Sequence, residues 1–196
     1  MKFRKNVLLL LIFVLTLSFA VPIMPVEAAS NKSKVEKTIN TFYSAAKHYN
    51  VKKMKSCFTK GSLLKAFVTM KEMAAFCKKR NWRIDYEIKS IKINGRNAVA
   101  KVYCEYPYAY DAFKDAFFML TIHIMNNPNL SDRQMQQYAH RQALKYLKIW
   151  GLSTEEDTII FRLKKVGSKW KIKKSSVAIL DSIHCGYESA YRDYFA

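Results

Sequence analysis

WRIDYEIKSIKINGRNAVAKVYCEY, residues 82–106, decides the fold. Trp82, Ile84, Tyr86 and Ile88 alternate with Arg83, Asp85, Glu87 and Lys89, a period of two that predicts a half-buried strand. Ile91 and Ile93 resume the alternation after a one-residue slip at Lys89-Ser90, the mark of a bulge. Asn94-Gly95 is a hairpin turn, because both residue types tolerate positive φ. The return strand runs from Ala98 to Tyr106, with Ala98, Ala100, Val102, Cys104 and Tyr106 on one face and Val99, Lys101, Tyr103 and Glu105 on the other. With Trp82, Ile84 and Tyr86 turned toward a core, Asp85 and Glu87 point to solvent.

On the N-terminal side the period becomes helical. Val35, Ile39, Phe42, Tyr43 and Ala46 make one apolar face, so a helix is expected from Lys34 to Tyr49, with Ser33 and Glu36 as a capping box. Val51–Phe58 reads as a short second helix and Ser62–Lys79 as a third. On the C-terminal side, Asp111–Met125 reads as an apolar helix, with Thr121–Ile124 also suited to a strand. Pro128 ends that segment, and Ser131 opens a helix that closes at Gly151. Thr158–Val166 and Lys169–Lys174 form a second hairpin around Gly167-Ser168, and the tail from Val177 to Phe195 is expected to start extended and end helical. The order gives one α+β domain, residues 29–196, with N-terminal helices on an antiparallel sheet and inserted helices between the two hairpins.

The 196 residues carry 34 Lys+Arg against 15 Asp+Glu, a formal charge of +19, with 50% apolar residues. That apolar share excludes a disordered chain. Residues 1–28 have the build of a secretory signal: Lys2, Arg4 and Lys5, then the apolar run Val7–Val21, then Pro22, Pro25 and the small-residue exit at Val26-Glu27-Ala28. Cleavage after Ala28 or Ala29 removes three basic residues and Glu27, taking +19 to about +17. The alternative is an uncleaved N-terminal membrane anchor, since the stretch from Val7 to Val26 approaches the ~20 residues that span a bilayer. The expected destination is therefore extracellular or the cell envelope.

Cys57, Cys77, Cys104 and Cys185 all lie in the exported part, an even number compatible with two disulfides. Cys57–Cys77 would tie consecutive helices and Cys104–Cys185 a strand to the tail; four buried free thiols are the alternative. With His48, His123, His140 and His184 scattered among different elements, the cysteines give no zinc pattern, so no metal and no cofactor are expected.

The element order, together with Ile88-Lys89-Ser90-Ile91-Lys92-Ile93-Asn94-Gly95-Arg96-Asn97-Ala98-Val99-Ala100 and Val166-Gly167-Ser168-Lys169-Trp170-Lys171-Ile172, resembles the nuclear transport factor 2-like (cystatin-like) superfamily, most of all its secreted bacterial members of unknown function. The resemblance implies a curved sheet wrapped on helices into a cone with a pocket at its open end. Isomerases, dehydratases and non-catalytic binding modules share that fold, so it does not choose a function.

An isomerase-like site needs a carboxylate and hydrogen-bond donors in an apolar pocket. No family catalytic residue maps onto this chain, and Gly-x-Ser-x-Gly, phosphate-binding Gly-rich and HExxH patterns do not occur. The expected pocket would be faced by Tyr43, Tyr86, Tyr106 and Tyr108, for a small apolar or aromatic ligand. Tyr103, Tyr106, Tyr108 and Tyr110 around Pro107 would suit stacking or the ordinary packing of strand ends. Lys169, Lys171 and Lys173 alternate with Trp170 and Ile172 and form an exposed basic strand face. Such a field attracts polyanions, which for an exported protein means anionic wall polymers or lipid headgroups. Lys outnumbers Arg there, which disfavours specific nucleic-acid recognition. The expected function is a secreted, non-catalytic binding module held by its basic surface, with a small-ligand carrier or pocket enzyme as the alternative.

Overall fold

Alternating polarity builds the sheet of this protein. In the computed structural model, which describes residues 26–59 and 71–195, the four strands are β1 (Asp85–Asn94), β2 (Asn97–Tyr108), β3 (Ser153–Val166) and β4 (Lys169–Ile172). They lie in the order β1-β2-β3-β4, every neighbour antiparallel. Asn94 pairs with Asn97 across a two-residue turn in which Gly95 has φ +54°. The register shifts between Ile88 and Ser90, so the expected bulge is present and keeps Ile91 and Ile93 on the side of Ile88. The long pairing of β2 with β3, from Asn97↔Lys164 to Tyr108↔Ser153, is the spine of the sheet. Beyond β4 the edge is met by a short parallel bridge, Phe58 to Ile172, with Ile172 N–H donating to Cys57 O at 2.8 Å and Thr59 N–H to Ile172 O at 2.9 Å.

Helix α1 (Val26–Lys47) lays its stripe of Val35, Ile39, Phe42, Tyr43 and Ala46, all fully buried, into the core. Phe42 meets Phe58 and Phe161 edge-on at 5.6 and 5.8 Å between ring centres, joining α1 to the chain after α2 (Val51–Ser56) and to β3. Truncating such a ring to Ala costs roughly 3–5 kcal/mol. Helix α3 (Lys71–Lys78) carries Met73, Phe76 and Cys77 inward, and helices α4 (Tyr110–Asn126) and α5 (Asp132–Trp150) form the insertion between the hairpins. Ser131 opens α5 and Gly151 closes it, as expected, and Gln134 completes a capping box with Ser131. Seven helices and one open sheet make an α+β protein among the described residues.

The chain divides into two units, Met1–Asn31 and Lys32–Ala196, and of the first only residues 26–31, the opening of α1, are described. The rest of the expected signal segment, and the start of the third helix expected at Ser62, lie outside the described residues.

Four local expectations are corrected. Helix α1 is already formed at Val26, so Ser33 lies within it and caps nothing. Trp82 is 68% exposed, because Asn81–Arg83 form a single 3₁₀ turn, with Ile84 N–H donating to Asn81 O at 3.0 Å, and β1 begins only at Asp85. Strand β3 begins at Ser153 rather than Thr158, since β2 continues to Tyr108 and its partners are satisfied by pairing. The tail is helical throughout: Ser176 caps α6 (Val177–His184) and Asp181 accepts from Ser189 N and Oγ, holding the start of α7 (Tyr187–Phe195). Burial raises the Asp181 carboxyl above its ordinary range against the bonds from Ser189.

Candidate functional site

The outer face of the sheet sorts its charges by register. Asp85, Glu105 and Glu156 lie in one row across β1, β2 and β3, while toward the two hairpin turns Lys164 faces Lys171 and Val99 faces Arg162. Arg96 reaches across the turns to the Lys165 carbonyl at 3.4 Å. Both turns fall at the same end, so the basic residues of two hairpins are concentrated there.

That end continues into a groove on α1. Lys34, Lys37, Thr38 and Thr41 recur at helical spacing on the face beside the buried stripe, and they face Ser56, Cys57, Ser168, Lys169, Trp170 and Lys171 across about 840 Å³ of space open to solvent. Four lysines line this groove and no acid does. A second hollow of about 670 Å³ shares Lys37 and Thr41 and adds Lys53, with Glu36 as its one carboxylate. The walls are fixed from below. Thr38 Oγ1 hydrogen-bonds the Trp170 carbonyl at 3.0 Å, tying α1 to β4, and the buried Trp170 ring anchors the strand whose Lys169 and Lys171 face out. Lys171 Nζ donates to the Ser56 carbonyl at the end of α2. Lys173 stands just beyond, its carbonyl accepting from Thr59 Oγ1 at 2.9 Å. Chemically this is a rim of ammonium groups interleaved with hydroxyls, suited to anions and without a nucleophile–base pair. Lys34 and Lys37 belong to it although no strand alternation points to them; their signal is the spacing of Lys34, Lys37 and Thr41 opposite the apolar stripe.

The tyrosines stand differently. Tyr43 is fully buried, stacked on Tyr86 at 4.4 Å and edge-on to Phe42 and Phe161 at 5.1 and 5.8 Å. Burial raises its hydroxyl well above the ordinary value, with Cys104 and Ser182 as its neighbours. Tyr86 Oη reaches Asn40 Oδ1 at 3.2 Å. Tyr106 is buried, and Tyr108 stacks on Tyr110 at 5.8 Å while Gly186 presses on its ring so closely that a Cβ there would stand 2.3 Å from it. Tyr106 and Tyr108 are both raised by burial, Tyr108 to about 12. These four residues contribute to packing between β1, β2, α1 and the turn joining α6 to α7, and none of them lines either basic hollow. Asp85 and Glu87 are exposed.

All four cysteines are buried free thiols, which corrects both expected pairings. Cys57 ends α2 with its sulfur on the Lys53 carbonyl at 3.5 Å, whereas Cys77 faces inward from α3 with its sulfur on Met73 Sδ at 3.6 Å, and Cys185 Sγ donates to Asn81 Oδ1 at 3.6 Å. Cys104 lies beside Tyr43 on the inner face of β2, its thiol pushed up to about 12 by burial. His48 is exposed, His123 stacks on Tyr138 at 3.9 Å, and His184 is buried with Nδ1 3.6 Å from Glu188. His140 lines a narrow apolar cleft with Glu72, Phe76, Phe113, Phe117 and Tyr187. No group of metal-binding side chains occurs among the described residues, and none of their helices is long and apolar enough to cross a membrane.

No family profile and no curated protein matches the sequence. Among solved structures, a candidate lipoprotein from Bacillus subtilis superposes with a TM-score of 0.33 and 16% identity, over 67% of this chain and 40% of that one. A TM-score that low does not establish a common fold.

Proposed function

We propose that the protein is an exported, non-catalytic binding module that holds phosphate-bearing polyanions of the cell envelope in the groove between α1 and β4, on a nuclear transport factor 2-like scaffold. The observation that carries the reading is the lining of that groove, four lysines with hydroxyls between them and no carboxylate. Each lysine near an anionic surface contributes about 1 kcal/mol, and the sum is screened by salt. The substitutions K169E, K171E and K173E together should therefore abolish retention, measured by sedimentation at low salt with two probes, teichoic-acid-bearing walls and phosphatidylglycerol vesicles. Loss on walls alone identifies a polymer, loss on vesicles alone a headgroup, and unchanged retention on both overturns the reading.

A second reading, a carrier of a small apolar ligand, draws on the cleft of Phe76, Phe113, Phe117 and Tyr187 with Glu72 and His140 beside it. Saturable binding of an apolar fluorophore, lost in A143F because Ala143 lines the same cleft, would support it; no binding would remove it. The isomerase-like alternative has less support, because Tyr43 is packed between aromatic rings and Asp85 and Glu87 face solvent.

A further inference from the structure

The insertion between the hairpins turns a face of two halves to solvent. Helix α4 buries Ala112, Phe113, Ala116 and Phe117, and helix α5 buries Ala143, so the opposite sides of both point away from the core. On α4 that side is apolar: Phe118, Ile122 and Met125 recur at helical spacing and are 55%, 38% and 78% exposed. On α5 it is basic: Arg141, Lys145 and Lys148 recur at the same spacing, all exposed, and from Arg133 to Trp150 the helix has no carboxylate. Aromatic rings stand at both borders of the apolar stripe. Trp150, exposed at the end of α5, donates from Nε1 to Oδ2 of Asp115 at 2.8 Å, and Asp115 lies one turn before Phe118. Tyr191 and Phe195 of α7, also exposed, pack on Phe117 at 5.8 and 5.7 Å between ring centres. Contiguous exposed apolar surface with a polar border marks an interface.

We propose that this face docks on an anionic lipid bilayer, with the α4 stripe below the headgroups and the α5 stripe among them. A bilayer supplies the complement of both halves. The apolar side chains leave water for acyl chains, and the cations are attracted by the negative headgroups beside them. Trp150 and Tyr191 suit the boundary, where a ring sits in the acyl region while its N–H or O–H stays at the polar level. A second copy of the chain is a poorer complement, because a twofold contact would bring two basic stripes together. The contact is peripheral, since no described helix is long and apolar enough to cross a membrane. It shares no residue with the groove between α1 and β4 and does not depend on what that groove holds.

The test uses the full chain carrying W82F, so that Trp150 is the exposed tryptophan and the buried Trp170 an internal reference. Phosphatidylglycerol vesicles with brominated acyl chains are added and tryptophan emission is read. Quenching of Trp150 is expected, lost in F118S/I122S/M125S and in R141E/K145E/K148E and kept in K169E/K171E/K173E. Retention on wall polymer then reports the groove while Trp150 reports this face, and either can fail alone. The six residues replaced on the face are all exposed, so far-UV circular dichroism should be unchanged. No quenching in the W82F chain would overturn the proposal, as would quenching that survives either triple substitution on the face. A dimer in sedimentation without quenching would overturn it too, and would assign the face to a second copy.

Discussion

The tyrosine region, on β1 and β2, and the lysine region, on β4, belong to one sheet and meet the same helix α1, yet end in opposite states. On the inner face, Tyr86 stacks on Tyr43 of α1, Tyr106 is buried, and Gly186 of the α6–α7 turn closes on the Tyr108 ring. On the outer face, Lys169 and Lys171 meet Lys34 and Lys37 of the same α1 and remain open to solvent. Alternation decides which side chains share a face. Whether that face becomes core or site is decided by a third element, and here α6 packs on β2 and β3 at one face only.

The comparison breaks most sharply at Gly186. It has φ +82°, and a methyl there would run into the Tyr108 ring, whereas Gly95 and Gly167, also at positive φ, have open space. G186A should cost about 3 kcal/mol, combining backbone strain with overpacking, and lower Tm by about 9 °C. G95A and G167A should cost about 1 kcal/mol each. Thermal melts of the three variants decide it, and an equal cost at all three would mean that the closed face is not tightly closed. Polyanion retention should be unchanged in G186A at temperatures where it is folded.

The open face is tested by K34A/K37A. Two lysines at about 1 kcal/mol each predict about 30-fold weaker binding to phosphatidylglycerol vesicles or wall polymer, with Tm unmoved. A loss equal to that of a distant pair such as K78A/K79A would reduce the groove to general surface charge. Y43F provides the converse control. It keeps the aromatic stack and removes only the hydroxyl beside Cys104 and Ser182, so it should change stability by less than about 1 kcal/mol in urea unfolding and leave binding intact. A larger loss would make that hydroxyl part of an organised polar site.

The strands, the bulge at Lys89, both hairpin turns and the two ends of α5 were legible because each is set by residues adjacent in sequence. The errors came where distant partners decide. Trp82 continues the alternation, but Asn81 is held by Ala46 and Ile183, and the backbone turns before Ile84. Val177–His184 is apolar on nearly all sides because it is buried between sheet and helix, so no period marked it as helical. Of the site, the lysines of β4 were legible from alternation. Lys34 and Lys37 were hidden, because a helix with an apolar stripe always has a polar back, and nothing local reveals that β4 will lie beside this one.

Acidification sharpens the comparison from a third position, the apolar cleft. Burial is the main influence on His140 and lowers its pKa, with Lys79 and Arg80 adding to the effect and Glu72 opposing it. The folded protein therefore prefers the neutral ring, while the unfolded chain takes up a proton near pH 6.5. Below that value the unfolded state binds more protons, so stability falls as pH drops through about 6.5 toward the lower folded value. H140Q removes the titration and keeps a polar side chain. The difference in Tm between parent and H140Q should be flat above pH 7.5 and should move against the parent between pH 6.5 and 5, the smallest of these effects because the ring is only partly buried. Taking the difference cancels the titration of every other group. A difference that stays flat to pH 5 would mean that water reaches the ring freely, and the cleft would then be a shallow surface feature rather than an apolar recess.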